Sequence, residues 1–295
     1  MNKIDLSIID INEYIKCFDV KNIKDKLIAK KPRKFKNIID NLESIIKADL
    51  HDIESKYLDF CVGFTKEELK FLENTFNYSY KRSHNQKFIN FFKKLNIKSC
   101  PFCNNNHVYF YEKGAGKFNT LATLEHYYPK AQYPHLSLSF YNLIPCCSTC
   151  NSKFKGTVHH VGNILHPYYD SFNDRAEFKV SIGKRLIKKN IDLKVNLKEN
   201  DTTDFKCINT IDRFQLDKIY KQHNDIAKEI WNKAQVYNES QIEELYKSFY
   251  EKLGYSKEDV KNMIFCNYLH KDDIHKRNHS KLTQDILKQF DLIKR

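Results

Sequence analysis

The first third of the chain repeats apolar residues at the three- and four-residue spacing of an amphipathic helix. The stretches IIDINEYIKCF, FKNIIDNLESII and KFINFFKKL all follow this spacing. Thr65 and Glu68 are spaced as a capping box, which predicts a helix that begins after Thr65. Residues 1–95 are therefore predicted to form an N-terminal helical region, with a break at the basic run of residues 30–34 (KKPRK).

The pattern changes in residues 96–165, where short β-like runs (HVYFYE, FNTLATLEHYY) alternate with turn residues. In residues 166–295, the runs EFKVSI and KNIDLKVNL predict a strand pair. Further helices are predicted to begin at Leu216, Ser240, Ser256 and Ser280. We expect an α+β protein that is mostly helical, with a short-stranded centre at 96–165 between the regions 1–95 and 166–295.

Composition restricts the class of protein. The 295 residues are 41% hydrophobic and 29% charged, with a mean hydropathy of −0.65, which argues against both a disordered and a membrane-embedded chain. No run approaches the roughly 18 apolar residues that span a bilayer. The N-terminal stretch contains acidic residues and does not have the pattern of a secretory signal. A cytoplasmic location without membrane association is expected.

Charge favours a polyanionic partner. Lys and Arg number 50 against 37 Asp and Glu, a net charge of +13, which suits nucleic acid. A lysine-rich composition throughout the chain is the alternative explanation of that total. Residues 96–165 contain six Lys and only two Glu, so this segment can approach phosphate with little repulsion. The basic run at 30–34 is either a solvated loop or a phosphate contact.

Cysteine spacing predicts a metal site. Four of the nine cysteines stand alone in apolar settings and are expected to be buried thiols: Cys17, Cys61, Cys207 and Cys266. The other five lie within residues 100–150, where Cys100, Cys103, Cys147 and Cys150 form two CxxC pairs. Such paired spacing is typical of a structural zinc site in a reducing compartment. Cys146 is expected to point away from this site. The 43 residues between the pairs are too many for a simple zinc finger.

Those 43 residues and the residues just after them contain a recognisable series of motifs. They include LEHYYPK, then YNLIP, then the second CxxC pair followed by Asn151. In this order the sequence resembles the HNH endonucleases, whose catalytic unit is a β-hairpin followed by a helix around one divalent ion, the ββα-metal fold. The segments EHYYPKAQYP and NLIPCCSTCNSK further resemble those of stand-alone HNH nucleases of bacterial restriction and anti-phage defence systems.

The resemblance implies a role for each matching residue. His126 would be the general base, since an imidazole with a pKa of about 6.5 can accept a proton from water at cellular pH. Glu125 and Asn151 would bind the catalytic divalent ion, Mg²⁺ or Mn²⁺, through oxygen atoms. Asn142 would hold the His126 ring and its loop by hydrogen bonding.

The sequence departs from the common HNH pattern at two of these positions. Many members have Asp where this chain has Glu125, and many have His where it has Asn151. A downstream histidine could complete the metal site instead: His159, His160 or His166. Three lysines are expected to contact phosphates near the cut: Lys130, Lys153 and Lys155.

The resemblance therefore implies a metal-dependent endonuclease that cuts DNA, with zinc as its structural metal. Such an enzyme would be the effector of a bacterial anti-phage or restriction system. Because an unregulated nuclease endangers its host, a regulatory partner such as an ATPase or a sensor protein is expected. The alternatives are an RNA nuclease of the same fold, with tRNA among its substrates, and a zinc-stabilised nucleic-acid-binding module that has lost its catalysis.

Overall fold

The computed structural model describes residues 1, 3–114, 116–154, 162–182, 191–197 and 203–293. Helix accounts for 56% and strand for 11% of the structure, which confirms the predicted α+β class with mostly helical content. Among the described residues, no helix combines the length and the apolarity that crossing a bilayer requires.

The chain contacts divide into two compact units. Unit 1 contains Met1–Ile4, Ile97–His107 and Ser152–Arg295, and unit 2 contains Asp5–Asn96 and Val108–Asn151. The units follow contacts in space, whereas the regions 1–95, 96–165 and 166–295 follow changes in sequence pattern. That three-region division stays a prediction.

Unit 2 contains the predicted N-terminal helices. They are α1 (Ile11–Ile15), α2 (Val20–Lys30), α3 (Lys36–Lys47), α4 (Leu50–Asp52), α5 (Lys66–Phe76), α6 (Tyr78–His84) and α7 (Gln86–Lys93). Helix α5 begins with the predicted capping box, in which Thr65 and Glu68 each bond the other's backbone amide. The core is aromatic: Tyr14 contacts Phe91 and Phe140 at centroid distances of 4.9 and 5.4 Å. Its hydroxyl donates to the carbonyl of Leu138 (2.9 Å), which satisfies the polar end of this buried ring.

Two antiparallel hairpins complete unit 2. Strand β1 (Phe110–Gly114) pairs with β2 (Lys117–Thr120), and strand β3 (Thr123–His126) pairs with β4 (Leu143–Cys146). Every residue of β3 and β4 is buried, whereas β1 is largely exposed. The β3–β4 hairpin is therefore part of the core of this unit.

Unit 1 has one hairpin and a set of helices. Its hairpin, β5 (Ala176–Ile182) with β6 (Ile191–Leu197), is the predicted strand pair. Its helices are α8 (Phe172–Arg175), α9 (Phe205–Arg213), α10 (Leu216–Tyr220), α11 (Asn224–Val236), α12 (Glu239–Leu245), α13 (Lys257–Phe265) and α14 (Ser280–Lys288).

Helix α14 is the centre of unit 1, packed against β5 and α11 and buried over most of its length. Its Lys281 and Asp285 form a fully buried ion pair. Asp285 also accepts a hydrogen bond from the Phe178 amide (2.9 Å). These bonds compensate the loss of solvation that burying two charges entails.

Two predictions about unit 1 are wrong in detail. Helix α12 is capped by Asn238 and not by Ser240: the helix begins at Glu239, and the Asn238 side chain accepts a hydrogen bond from the Gln241 amide (3.0 Å). Cys266 is exposed and not buried, since it ends α13 in a left-handed conformation with φ of 53°. The other isolated cysteines, Cys17, Cys61 and Cys207, are buried as predicted.

Candidate functional site

The first cysteine pair lies in a tight turn of unit 1. The Cys100 amide donates to the carbonyl of Asn106 (2.9 Å), and the Asn104 amide donates to the carbonyl of Cys100 (2.8 Å). The hydroxyl of the buried Tyr220 donates to the carbonyl of Cys103 (2.7 Å). These bonds hold the turn closed at both of its cysteines.

The second cysteine pair follows strand β4 directly. The Cys150 amide donates to the sulfur of Cys147 (3.4 Å), and the Asn151 amide donates to the Cys147 carbonyl (3.1 Å). A short helical segment, Thr149–Lys153, continues from there. Amide donation to a sulfur lowers the cost of its thiolate form, which is the form that binds a metal.

The four cysteines come together as predicted. The sulfurs of Cys100, Cys103, Cys147 and Cys150 lie within 4.8 Å of one another, and all four side chains are buried. In a tetrahedral zinc site with Zn–S bonds of about 2.3 Å, the sulfurs are about 3.8 Å apart. A contraction of about 1 Å or less therefore completes the coordination, and four thiols are a typical donor set for zinc. Among the described residues, no other group of three or more His, Cys, Asp or Glu converges in this way.

Cys146 is not a member of this cluster, as expected. It ends β4, where it pairs across the hairpin with Thr123. The Thr123 hydroxyl lies 3.5 Å from the Cys146 sulfur and 3.0 Å from its carbonyl oxygen. The Cys146 side chain therefore lies against the neighbouring strand of the hairpin, whereas Cys147 belongs to the four-cysteine cluster.

The β3–β4 hairpin and the residue before β4 hold three of the remaining candidate site residues. Glu125 and His126 end strand β3 and pair with Ile144 and Leu143 of β4, and Asn142 immediately precedes β4. Their exposures are 2%, 3% and 0% respectively, so all three side chains are shielded from solvent. The described chain thus runs from strand to loop to strand to the helical segment Thr149–Lys153.

The His126 ring is held from two sides. Its Nε2 lies 3.2 Å from the carbonyl oxygen of Ser137, a distance and partner that place a proton on Nε2. The ring of Tyr78 in α6 packs edge-on at a centroid distance of 4.4 Å. The Tyr78 hydroxyl donates to the carbonyl of Leu124 (3.3 Å), and burial raises its pKa, so it stays a neutral phenol.

The Asn142 side chain closes the loop between β3 and β4. Its oxygen accepts from the Tyr128 amide (2.6 Å), and its nitrogen donates to the carbonyls of Tyr128 (3.1 Å) and Leu136 (3.0 Å). All three bonds are buried, so they fix the start and the middle of the loop to its end. The loop also contains Ser137, the hydrogen-bond partner of His126.

The predicted phosphate-contacting lysines and the downstream histidines lie in different surroundings or outside the described residues. Lys130 forms an ion pair with Glu73 (3.0 Å), whereas Lys153 is exposed at the end of its helical segment. His166 is buried in unit 1, where its Nδ1 accepts from the Tyr168 amide (3.2 Å). Three candidates lie outside the described residues: Lys155, His159 and His160.

Tyr78 is the contact that sequence reasoning missed. It lies 48 residues before His126, in α6, where it is the only buried residue. No spacing rule links it to the hairpin, so its position beside the imidazole follows only from packing.

The comparisons with known proteins add little to this picture. No family model matches the chain, and no solved structure matches it. Over 152 residues it is 28% identical to Protein ea31 of Escherichia phage lambda, an alignment that covers 45% of this chain. The match spans 47%, about half, of the length of that relative.

Proposed function

We propose that this chain is a metal-dependent HNH endonuclease with a ββα-metal unit, and that it hydrolyses phosphodiester bonds in DNA. The main support is the hairpin beside the second cysteine pair. It orders Glu125 and His126 on one strand and Asn142 just before the next, and the Asn142 side chain bonds the connecting loop. The cysteine cluster and the net charge of +13 agree with this proposal.

His126 is the general base in this proposal. Because Nε2 holds its proton toward Ser137, the lone pair that takes a proton from water is on Nδ1. The resulting hydroxide attacks phosphorus, the bond from phosphorus to the 3′ oxygen breaks, and that oxygen leaves with the electron pair. The Tyr78 ring and the Ser137 carbonyl keep the imidazole in one orientation, which a general base requires.

Glu125 and Asn151 would hold the catalytic cation. A carboxylate that is 2% exposed favours a nearby positive charge, and oxygen donors suit Mg²⁺ or Mn²⁺. A bound cation would neutralise charge on the phosphate and on the leaving oxygen. The two side chains belong to the hairpin and to the helical segment that follows it.

The proposed biological role is that of an effector in an anti-phage or restriction system. The partial match to a protein of phage lambda places one relative in a phage genome, which agrees with a role in conflict between phage and host. We propose that a partner protein, such as an ATPase or a sensor, controls the activity.

A second function has its own support. The side chains of Glu125 and His126 are only 2% and 3% exposed, which favours a zinc-stabilised module that binds nucleic acid without cutting it. The two functions differ in whether the His126 imidazole contacts a phosphate group of the nucleic acid.

Plasmid nicking distinguishes these functions. His126→Gln keeps an amide that can donate to Ser137 but cannot accept the proton, so nicking with Mg²⁺ or Mn²⁺ should fall about 10²- to 10⁴-fold. His51→Ala, an exposed histidine of the same unit, is the matched control and should keep full activity. Labelled RNA, including tRNA, digested in parallel tests the sugar preference. If wild type and His126→Gln are equally inert and bind DNA equally well, the binding module is correct.

A further inference from the structure

The basic run at residues 30–34 borders an open cavity in unit 2. Helix α2 ends at Lys30, and α5 begins at Lys66, after α3 and α4. Between them lies a cavity of about 530 Å³, whose lining includes Lys30, Lys31, Lys66 and Lys70 together with the ring of Phe71. This volume lies within the usual range for ligand-binding clefts.

Positive charge predominates around this cavity. Six cations lie on its wall or on the adjoining turn: Lys30, Lys31, Arg33, Lys34, Lys66 and Lys70. The acidic residues of the wall are Glu67 and Glu68. Glu68 is already paired, with Lys31 at 2.9 Å and Lys34 at 4.0 Å, so its negative charge is locally compensated.

Three of these cations are available to a ligand. The exposed side chains of Lys30, Arg33 and Lys66 have no carboxylate partner at ion-pair distance in the part of the chain that the structure describes. The Nζ of Lys30 lies 5.8 Å from the centroid of the Phe71 ring, which itself stacks on the buried Phe35 at 5.7 Å. The Phe71 ring, Lys30 and Lys66 line the cavity, and Arg33 lies on the adjoining turn.

We propose that this basic cavity binds the phosphate backbone of a nucleic acid strand. Separate, uncompensated cations in and beside a concave surface suit a ligand with regularly spaced negative charges. Membrane binding would require an exposed apolar face flanked by cations, whereas of the two aromatic rings in this wall Phe35 is buried and Phe71 is only partly exposed. The inference relies on the proposed function only for naming nucleic acid as the anion, and it concerns a surface that is separate from Glu125 and His126.

A matched pair of triple variants tests this proposal. K30Q/R33Q/K66Q removes the two available lysines of the cavity and the arginine of the adjoining turn. K16Q/K21Q/K87Q removes three exposed lysines elsewhere in unit 2, so both variants lower the net charge from +13 to +10. Lys21 lies in the first turn of α2, about 13 Å along the helix from Lys30.

Fluorescence anisotropy with the full chain provides the measurement. Labelled duplex DNA, single-stranded DNA and RNA are titrated from 50 to 300 mM salt, without added Mg²⁺ or Mn²⁺. The cavity variant should bind at least tenfold more weakly for every base sequence. The slope of log K against log salt should flatten by about 2 to 3, since each phosphate contact contributes about 0.7 to 0.9.

The control variant should keep the wild-type slope and stay within threefold in affinity. Equal slopes in the two triple variants would overturn the proposal, and so would a wild-type chain that binds none of the three nucleic acids. Cleavage is not part of this readout. A chain that binds through the cavity but never nicks plasmid supports this proposal and contradicts only the proposed function.

Discussion

Two adjacent cysteines should differ sharply in their importance for zinc. Cys147→Ser removes one of the four clustered thiols, whereas Cys146→Ser alters a side chain that lies against Thr123 across the hairpin. Both substitutions replace a buried sulfur with a buried hydroxyl one residue apart. The pair therefore separates metal binding from general damage to the hairpin.

The size of the effect follows from the site. Structural zinc bound by thiolates contributes about 10–16 kcal/mol, which corresponds to a Kd of roughly 10⁻⁷ to 10⁻¹² M. Divided equally among four ligands, one thiolate accounts for about 2.5–4 kcal/mol, or a roughly 100- to 1,000-fold rise in Kd. The sulfurs already lie within 4.8 Å of one another, so contraction to the tetrahedral spacing subtracts little from this figure.

Competition between the protein and a fluorescent zinc chelator measures this Kd. The pH must be constant, because binding requires deprotonated thiols. Wild type and Cys146→Ser should hold one zinc per chain with affinities within threefold of each other, and Cys147→Ser should be weaker by the factor above. If Cys146→Ser weakens zinc as much as Cys147→Ser does, or if wild type takes up no zinc, the assignment of the four thiols is wrong.

Two further predictions concern stability, and both are measured as urea unfolding midpoints. Asn238→Ala should cost about 1 kcal/mol and Ser240→Ala almost nothing, because Asn238 caps α12; a larger loss in Ser240→Ala would contradict this. Burial lowers the pKa of His135 to about 4, and its neutral ring lies between Tyr57 and Cys61. In the unfolded chain the pKa of His135 returns to about 6.5, so below that pH the unfolded state binds a proton that the folded state does not. The free energy of unfolding that is present above pH 6.5 is therefore lost progressively as the pH falls toward 4. The loss from pH 7.5 to 5 should be about 2 kcal/mol in wild type and smaller in His135→Asn; identical pH dependence in the two would refute this.

Local sequence is enough to predict most helices and the metal ligands. Apolar spacing marks α1, α3 and α7, and the capping boxes at Thr65 and Ser256 mark where α5 and α13 begin. These features depend on hydrogen bonds and contacts over three or four residues, so the pattern is visible in the sequence itself. The CxxC pairs are similar, since two residues between thiols are what a tight turn around a metal requires.

Other features depend on residues that are far apart in the chain, and packing alone decides them. Tyr78 lies against His126, the segment Ile97–His107 belongs with Ser152–Arg295, and Glu125 is buried at the end of its strand. No periodic rule relates such residues, because their contacts arise from how whole elements pack. Local sequence thus predicts which residues bear chemistry, whereas the tertiary structure decides which of them meet and how far each is shielded from water.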